Sequence, residues 1–168
     1  KGASFTVAGG GYDYEKEALD PIGAEIIEAP ANEAEFIAAA KTADAIYAKG
    51  MPITKAIIDS LQNCKVITLG SVGVDSVDVK AATARGIPVG NTPGVLDGAV
   101  SDLAFALMLA AARRIVEGDH YARSPEFTSF DPSYMLGRDV CGSTLGIVGL
   151  GSIGMQIAQR ARAFDMRV

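Results

Sequence analysis

The chain reads as an α/β protein: a flavodoxin-like, doubly wound parallel-sheet domain followed by the start of a Rossmann dinucleotide-binding domain. Three observations predict this. Short apolar runs alternate with helix-period segments over the first ninety-odd residues, which implies parallel pairing through right-handed crossovers. An apolar run at 145–148 leads directly into Gly149-Leu150-Gly151-Ser152-Ile153-Gly154, a Gly-x-Gly-x-x-Gly turn. Behind it, Ile153, Ile157, Ala161 and Phe164 recur at helical spacing.

Phe5-Thr6-Val7-Ala8 forms the first expected strand and runs into Gly9-Gly10-Gly11. That triplet lacks the register of a phosphate loop and reads as a flexible turn. A short helix over 13–20 is broken by Pro21 and Gly23, and a second strand covers 24–27. Asn32 with Glu35 three residues on resembles a capping box opening a helix through Lys41. A third strand covers 45–48, Thr54 caps a helix through Leu61, and a fourth strand covers 65–69. Asp78 opens a helix that Gly86 closes, and Ile87-Pro88-Val89 makes a fifth strand whose proline predicts an edge position.

After the turn Asn91-Thr92-Pro93-Gly94, one long helix is expected from 97 or 98 to 121. Residues 103–112 are apolar on every face, so the helix needs covering on several sides, by two domains or a second subunit. Residues 124–142, with Pro125, Pro132 and several aromatic side chains, read as an irregular arm of the kind that carries function or an interface.

In the glycine turn each position has its own task. The first glycine permits the bend, the second lets backbone approach a pyrophosphate, and the third lets the helix pack on the strand. A glycine-rich turn without a ligand is the competing reading. The acidic or basic residue that separates NAD from NADP lies about 20 residues after the first glycine. Counted from Gly149, that falls just past Val168. One strand, one helix and a stub bury too little to stand alone, so the sequence predicts the N-terminal part of a longer protein.

A net charge of −5 and no basic run longer than Arg113-Arg114 argue against nucleic acid or an anionic membrane as partner. The longest apolar run, ten residues, is too short to cross a bilayer. Cys64 and Cys141 lack partner spacing and read as free, reduced thiols of a cytoplasmic protein.

Four ordered motifs carry a resemblance: Gly70-Ser71-Val72-Gly73-Val74-Asp75; Ala84-Arg85-Gly86-Ile87-Pro88-Val89-Gly90-Asn91-Thr92-Pro93-Gly94-Val95-Leu96; Ser101-Asp102-Leu103 with Ala111-Ala112-Arg113-Arg114; and Val148-Gly149-Leu150-Gly151-Ser152-Ile153-Gly154. Together they resemble the D-isomer-specific 2-hydroxyacid dehydrogenases, in a flavour similar to the glyoxylate/hydroxypyruvate reductases. The resemblance implies a substrate domain over 1–97 and a cofactor domain from 98, a homodimer through the helix at 98–121 and the arm, and NAD or NADP as cofactor. It implies that the backbone N–H groups of Val72 and Gly73 bind the substrate carboxylate, with Lys49 lining the pocket. Val100, Gly149, Gly151, Ser152, Ile153 and Gly154 would touch the cofactor.

Many family members carry arginine where this chain has Ser152, which removes one charge-assisted contact to the pyrophosphate. The family's histidine, carboxylate and arginine match no position here. His120, the single histidine, reads as a solvated helix-end residue, and Arg113 and Arg114 as helix C-terminal charges. The 168 residues alone are therefore expected to be inactive. The alternatives are a non-catalytic, cofactor-sensing corepressor relative and a fragment whose role is only association.

Overall fold

The computed structural model describes residues 4–8 and 11–168; Gly9 and Gly10 of the glycine triplet lie outside the described residues. The chain divides into two compact units, Lys1–Pro93 and Gly94–Val168.

In the first unit, strands β1 (Ser4–Ala8), β2 (Glu25–Ala29), β3 (Ala45–Ala48), β4 (Val66–Leu69) and β5 (Val89–Gly90) form one sheet in the order β2-β1-β3-β4-β5. All pairings are parallel, which is the flavodoxin-like order expected of a doubly wound domain. The fifth strand lies at an edge as expected but forms over Val89–Gly90 and not over 87–89: Pro88, which has no N–H to give a ladder, stands just before it, and its carbonyl accepts from Ile67 N at 3.0 Å. Helices α1 (Asp13–Leu19), α2 (Glu33–Ala40), α3 (Lys55–Ser60) and α4 (Val79–Ala84) fill the crossovers, and Asp20–Ile22 adds a single 3-10 turn at Pro21.

Local chemistry sets the helix starts. Asn32 Oδ1 accepts from the amides of Ala34 and Glu35, Thr54 Oγ1 from Ile57 and Asp78 Oδ1 from Ala81. Each satisfies N–H groups that have no partner inside the helix. Phe36, Ile46, Ile57, Ile58 and Ile67, all at most 1% exposed, form the centre of the core between sheet and helices.

In the second unit, α5 (Asp97–Ala112) and α6 (Ile115–Ala122) replace the single helix expected over 97–121. The physical reason lies in the arm. Arg138 N donates to Ala112 O at 2.7 Å, taking a carbonyl that a continuous helix would use for its own ladder. Gly137 runs so close that a Cβ there would lie 2.6 Å from Ala112 O. The chain turns through Arg114 at φ +51° and starts α6.

The apolar stripe of α5 is also only half covered. Ser101 and Phe105 are buried towards α7 (Ser152–Ala163), with Phe105 stacked on Phe164 at 5.4 Å, while Leu103 and Leu107 remain exposed.

The strand expected at 145–148 forms no ladder. Leu145 N donates to Arg167 O at 2.7 Å and Arg167 N to Ser143 O at 2.9 Å, leaving one isolated parallel bridge between Thr144 and Arg167. A strand needs a neighbour to pair with along its length, and among the described residues only the short segment around Arg167 pairs with it. The arm over 124–142 is irregular, as the sequence predicts.

Candidate functional site

Two groups of candidate residues have formed geometry, one in each unit.

In the first unit the relevant place is the end of the sheet where β1 and β3 are neighbours although β2 leaves β1 on the other side. In open parallel sheets the crevice outside the strand ends at this reversal is where ligands bind. Lys49 follows β3 and Gly70 follows β4. Because Ala48 is in register with Leu69, Lys49 and Gly70 sit side by side at the rim. The loop Ser71-Val72-Gly73 leaves from Gly70.

This loop is braced from behind. Asn91 Nδ2 donates to Val72 O at 2.7 Å, Thr92 N donates to Ser71 O at 3.1 Å, and the Ser71 hydroxyl donates to Gly73 O at 2.9 Å. Its carbonyls are occupied, whereas among the described residues neither the Val72 nor the Gly73 amide is taken up by a hydrogen bond. Two adjacent free N–H groups on a fixed turn can receive a carboxylate.

Lys49 is exposed and oriented. Its Nζ donates to Gly11 O at 3.1 Å and stands 5.1 Å from the centroid of the Tyr12 ring. Tyr12 is 1% exposed and meets Tyr47 edge-on, with centroids 6.4 Å apart. Tyr47 in turn explains Gly70, since a Cβ at that position would lie 2.5 Å from the Tyr47 hydroxyl. Burial pushes the Tyr47 phenol above its ordinary value, and a hydrogen bond with Glu15 and its charge push it further. Burial likewise raises Tyr12, helped by the charges of Glu28 and Glu15. Sequence reasoning missed Gly11, Tyr12, Tyr47 and Asn91 as parts of this site. Of these, Asn91 and Gly11 carried a local signal, in the turn Asn91-Thr92-Pro93-Gly94 and in the glycine triplet after the first strand, but neither signal pointed to this site.

In the second unit the glycine turn has the geometry its spacing implies. Gly149 lies at φ +93°, a conformation that side chains rarely tolerate. A Cβ on Gly154 would lie 2.4 Å from Gly149 O, so only glycine lets the helix approach the turn this closely. At Gly151 the space a Cβ would occupy is open. Gly151 is the N-cap of α7 and supplies no side-chain cap, so the first-turn N–H groups, from Ser152 onward, stay available to an anion.

A cleft of ≈ 380 Å³ is lined by Gly149, Gly151, Ser152, Ile153, Gly154 and neighbouring apolar residues. Val100, on α5, is 40% exposed and does not line it. Helix α5 is locked to α7 close by. Ser101 Oγ, fully buried, donates to Asp97 O at 2.6 Å and lies 3.4 Å from Ile153 O, and Arg160 Nε donates to Asp102 at 2.7 Å.

His120 lies exposed in the last turn of α6 and does not line the cleft at the glycine turn. Among the described residues there is no cluster of metal-ligating side chains, and no helix is long and apolar enough to cross a membrane. Cys64 and Cys141 are both free.

Comparison with known proteins follows the same lines. Residues 12–164 match the family model for the D-isomer specific 2-hydroxyacid dehydrogenase catalytic domain. A glyoxylate reductase of Korarchaeum cryptofilum is 45% identical over 143 residues, covering 84% of this chain and 43% of that protein. The crystal structure of the TT0316 protein from Thermus thermophilus superposes with a TM-score of 0.90 at 40% identity, covering 98% of this chain and 54% of that one. An acyclic imino acid reductase solved with NADPH and D-Arg superposes at 0.86 with 27% identity, covering 98% of this chain and 54% of its own. The chain thus spans about half the length, or less, of the relatives it matches.

Proposed function

The chain belongs to the D-isomer-specific 2-hydroxyacid dehydrogenases, and we propose on that basis that the protein containing it transfers a hydride between a nicotinamide dinucleotide and a small 2-oxo acid of the glyoxylate or hydroxypyruvate type. The observation that carries this reading is the pair of free amides at Val72 and Gly73, held on a loop whose carbonyls are all occupied. Such a pair fits a carboxylate, the group common to every 2-oxo acid. Lys49, at the neighbouring strand end, adds a positive charge to the same rim.

In this reading residues 1–97 are the substrate domain and residues from 98 onward begin the cofactor domain. The glycine turn fits a dinucleotide on three grounds: the left-handed Gly149, the close approach at Gly154, and the open space at Gly151 beside an uncapped helix start. Gly149, Gly151, Ser152, Ile153 and Gly154 would hold the pyrophosphate of NAD or NADP, and Val100 would lie against the cofactor. When bound, the nicotinamide supplies or accepts the hydride. Ser152 offers a neutral hydroxyl where an arginine would have offered charge, so the phosphate contacts rest on backbone N–H groups.

This chain's own residues bind and orient. The Val72 and Gly73 amides fix the carboxylate and so the direction in which the keto carbon faces, while Lys49 neutralises the anion's charge. Proton transfer to the product hydroxyl needs a general acid; among the described residues no histidine sits at either group of candidates, and the carboxylate beside the amide turn is Asp75, whose Oδ2 lies 3.0 Å from where a Cβ on Gly73 would stand. His120 stays outside the mechanism.

The homodimer belongs to the same proposal. Leu103 and Leu107 of α5, at 59% and 62% exposure, and Phe130 and Leu136 of the arm, at 81% and 67%, give a second copy apolar surface to cover.

The test is turnover. The whole protein that carries these residues is expected to oxidise NADH or NADPH when given glyoxylate or hydroxypyruvate, while the 168-residue chain alone shows none. Turnover by the isolated chain would overturn the assignment of the acid–base residues. Failure of the whole protein on any 2-oxo acid would overturn the activity.

A further inference from the structure

Among the described residues, Lys49 Nζ is held by a carbonyl and a ring face, with no carboxylate in ion-pair range. Its two contacts both come from the segment after β1: the Gly11 carbonyl at 3.1 Å and the face of the Tyr12 ring at 5.1 Å to the centroid. Gly11 takes φ +82°, and no side chain fills the space beside it. Tyr12 is 1% exposed, so the ring is a fixed surface and not a mobile cover. Its hydroxyl is buried and has no hydrogen-bond partner among the described residues. The part of Tyr12 that meets another functional group is therefore its π face.

Behind Tyr12 stands Tyr47, whose hydroxyl packs on Gly70, the residue from which the Val72–Gly73 loop departs. The same edge-to-face pair of rings thus touches the lysine on one side and the root of the amide turn on the other.

We propose that Gly11 and Tyr12 form a seat that fixes the Lys49 ammonium at the sheet's switch point, so that its remaining N–H donors face the 2-oxo acid carboxylate bound at Val72 and Gly73. Tyr12 is a positioning residue: it acts on substrate through Lys49. The inference rests on the substrate reading above and adds to it a reason for the residues after β1. An ammonium spends one of its three donors on Gly11 and keeps two. The ring face attracts the cation without offering a competing acceptor, so Lys49 is placed but not neutralised.

Two measurements test the seat. The first needs no turnover: with the lysines 13C-labelled, the Hε protons of Lys49 are expected upfield of those of the other lysines because they lie over an aromatic face. The displacement persists in Tyr12→Phe and vanishes in Tyr12→Leu. Hε protons of Lys49 at the ordinary lysine position in the unsubstituted protein would overturn the seat.

The second is kinetic, on the whole protein. Tyr12→Leu is expected to raise KM for the 2-oxo acid about two- to fivefold, the scale of one exposed cation–π contact, with kcat and the KM for the nicotinamide cofactor unchanged. Tyr12→Phe restores the original KM. In a Lys49→Met background Tyr12→Leu adds nothing further. An equal KM increase in both backgrounds, or a Phe variant as impaired as the Leu variant, would reduce Tyr12 to a packing residue and overturn the proposal. A protein that shows the ring shift but reduces no 2-oxo acid would overturn the substrate reading and with it the seat's purpose, and the intact shift separates that result from a missing seat.

Discussion

The two cysteines show how differently one residue type behaves in this fold. Burial raises the Cys64 thiol above its ordinary value, outweighing the hydrogen bonds to the Val66 and Ile46 backbone and the Arg85 charge, which lower it. Cys141 is exposed. A raised pKa means that folding favours the protonated thiol. The contribution to stability is then fully present below the unfolded-state pKa and is lost as pH rises through the folded one. Alkylation at mildly alkaline pH is therefore expected to modify Cys141 first, with Cys64 reacting only as the pH climbs further or the protein unfolds. Mass spectrometry of partly alkylated protein checks this, and equal rates at the two sites would contradict it. None of this could be read from the sequence, where both residues have the same absence of partner spacing. The Lys49 seat was equally hidden, because Gly11 and Lys49 lie 38 positions apart and no local pattern records their meeting.

Where the signal is local, the elements follow the sequence closely. Asn32, Thr54 and Asp78 are short polar side chains ahead of apolar-periodic segments, and each accepts from amides of the helix it opens. Thr54 does more than cap, since its hydroxyl also donates to Glu33 at 2.7 Å and so ties α3 to the start of α2. Thr54→Ala is expected to lower unfolding free energy by about 1–2 kcal/mol, and chemical denaturation of the two proteins measures it. A change below a few tenths would mean that water replaces the cap at no cost. The places where the sequence misleads are those where a distant segment decides. Nothing within residues 97–121 announces a break at Arg113-Arg114. The break depends on Gly137 and Arg138 pressing on Ala112 from the arm. Gly137→Ala is expected to be more damaging than a surface glycine change, about 1–3 kcal/mol, because its Cβ meets backbone that cannot yield. A thermal unfolding curve unchanged from the parent would contradict the reason given for the break.

At the scale of the molecule, the proposed roles of the first unit's amide turn and the second unit's glycine turn share one chemical logic: free backbone N–H groups that would receive an anion. The fold class was legible because alternation of strand and helix dictates parallel pairing, and the turn was legible because each glycine has a steric task. The missing ladder at 145–148 was not, since a β-prone run states a preference while pairing requires a neighbour. The apolar surface of α5 and the arm has the same character. It is expected to make the protein a dimer in solution, and Leu103→Asp with Leu107→Asp should give a monomer by light scattering at micromolar concentration. A parent protein that is monomeric under those conditions would remove the second copy from the account.

The central claim is that the turn at 149–154 receives the diphosphate of a nicotinamide dinucleotide, and calorimetric titration of NADH and NADPH into the whole protein and its Gly154→Ala variant tests it most directly. The Cβ added at Gly154 would lie 2.4 Å from Gly149 O and must displace the turn. Overpacking on the scale of about 1–3 kcal/mol predicts binding of one nucleotide by the parent and a loss of about fivefold or more in the variant. No binding of either nucleotide by the parent, or equal affinity in the two proteins, would contradict it.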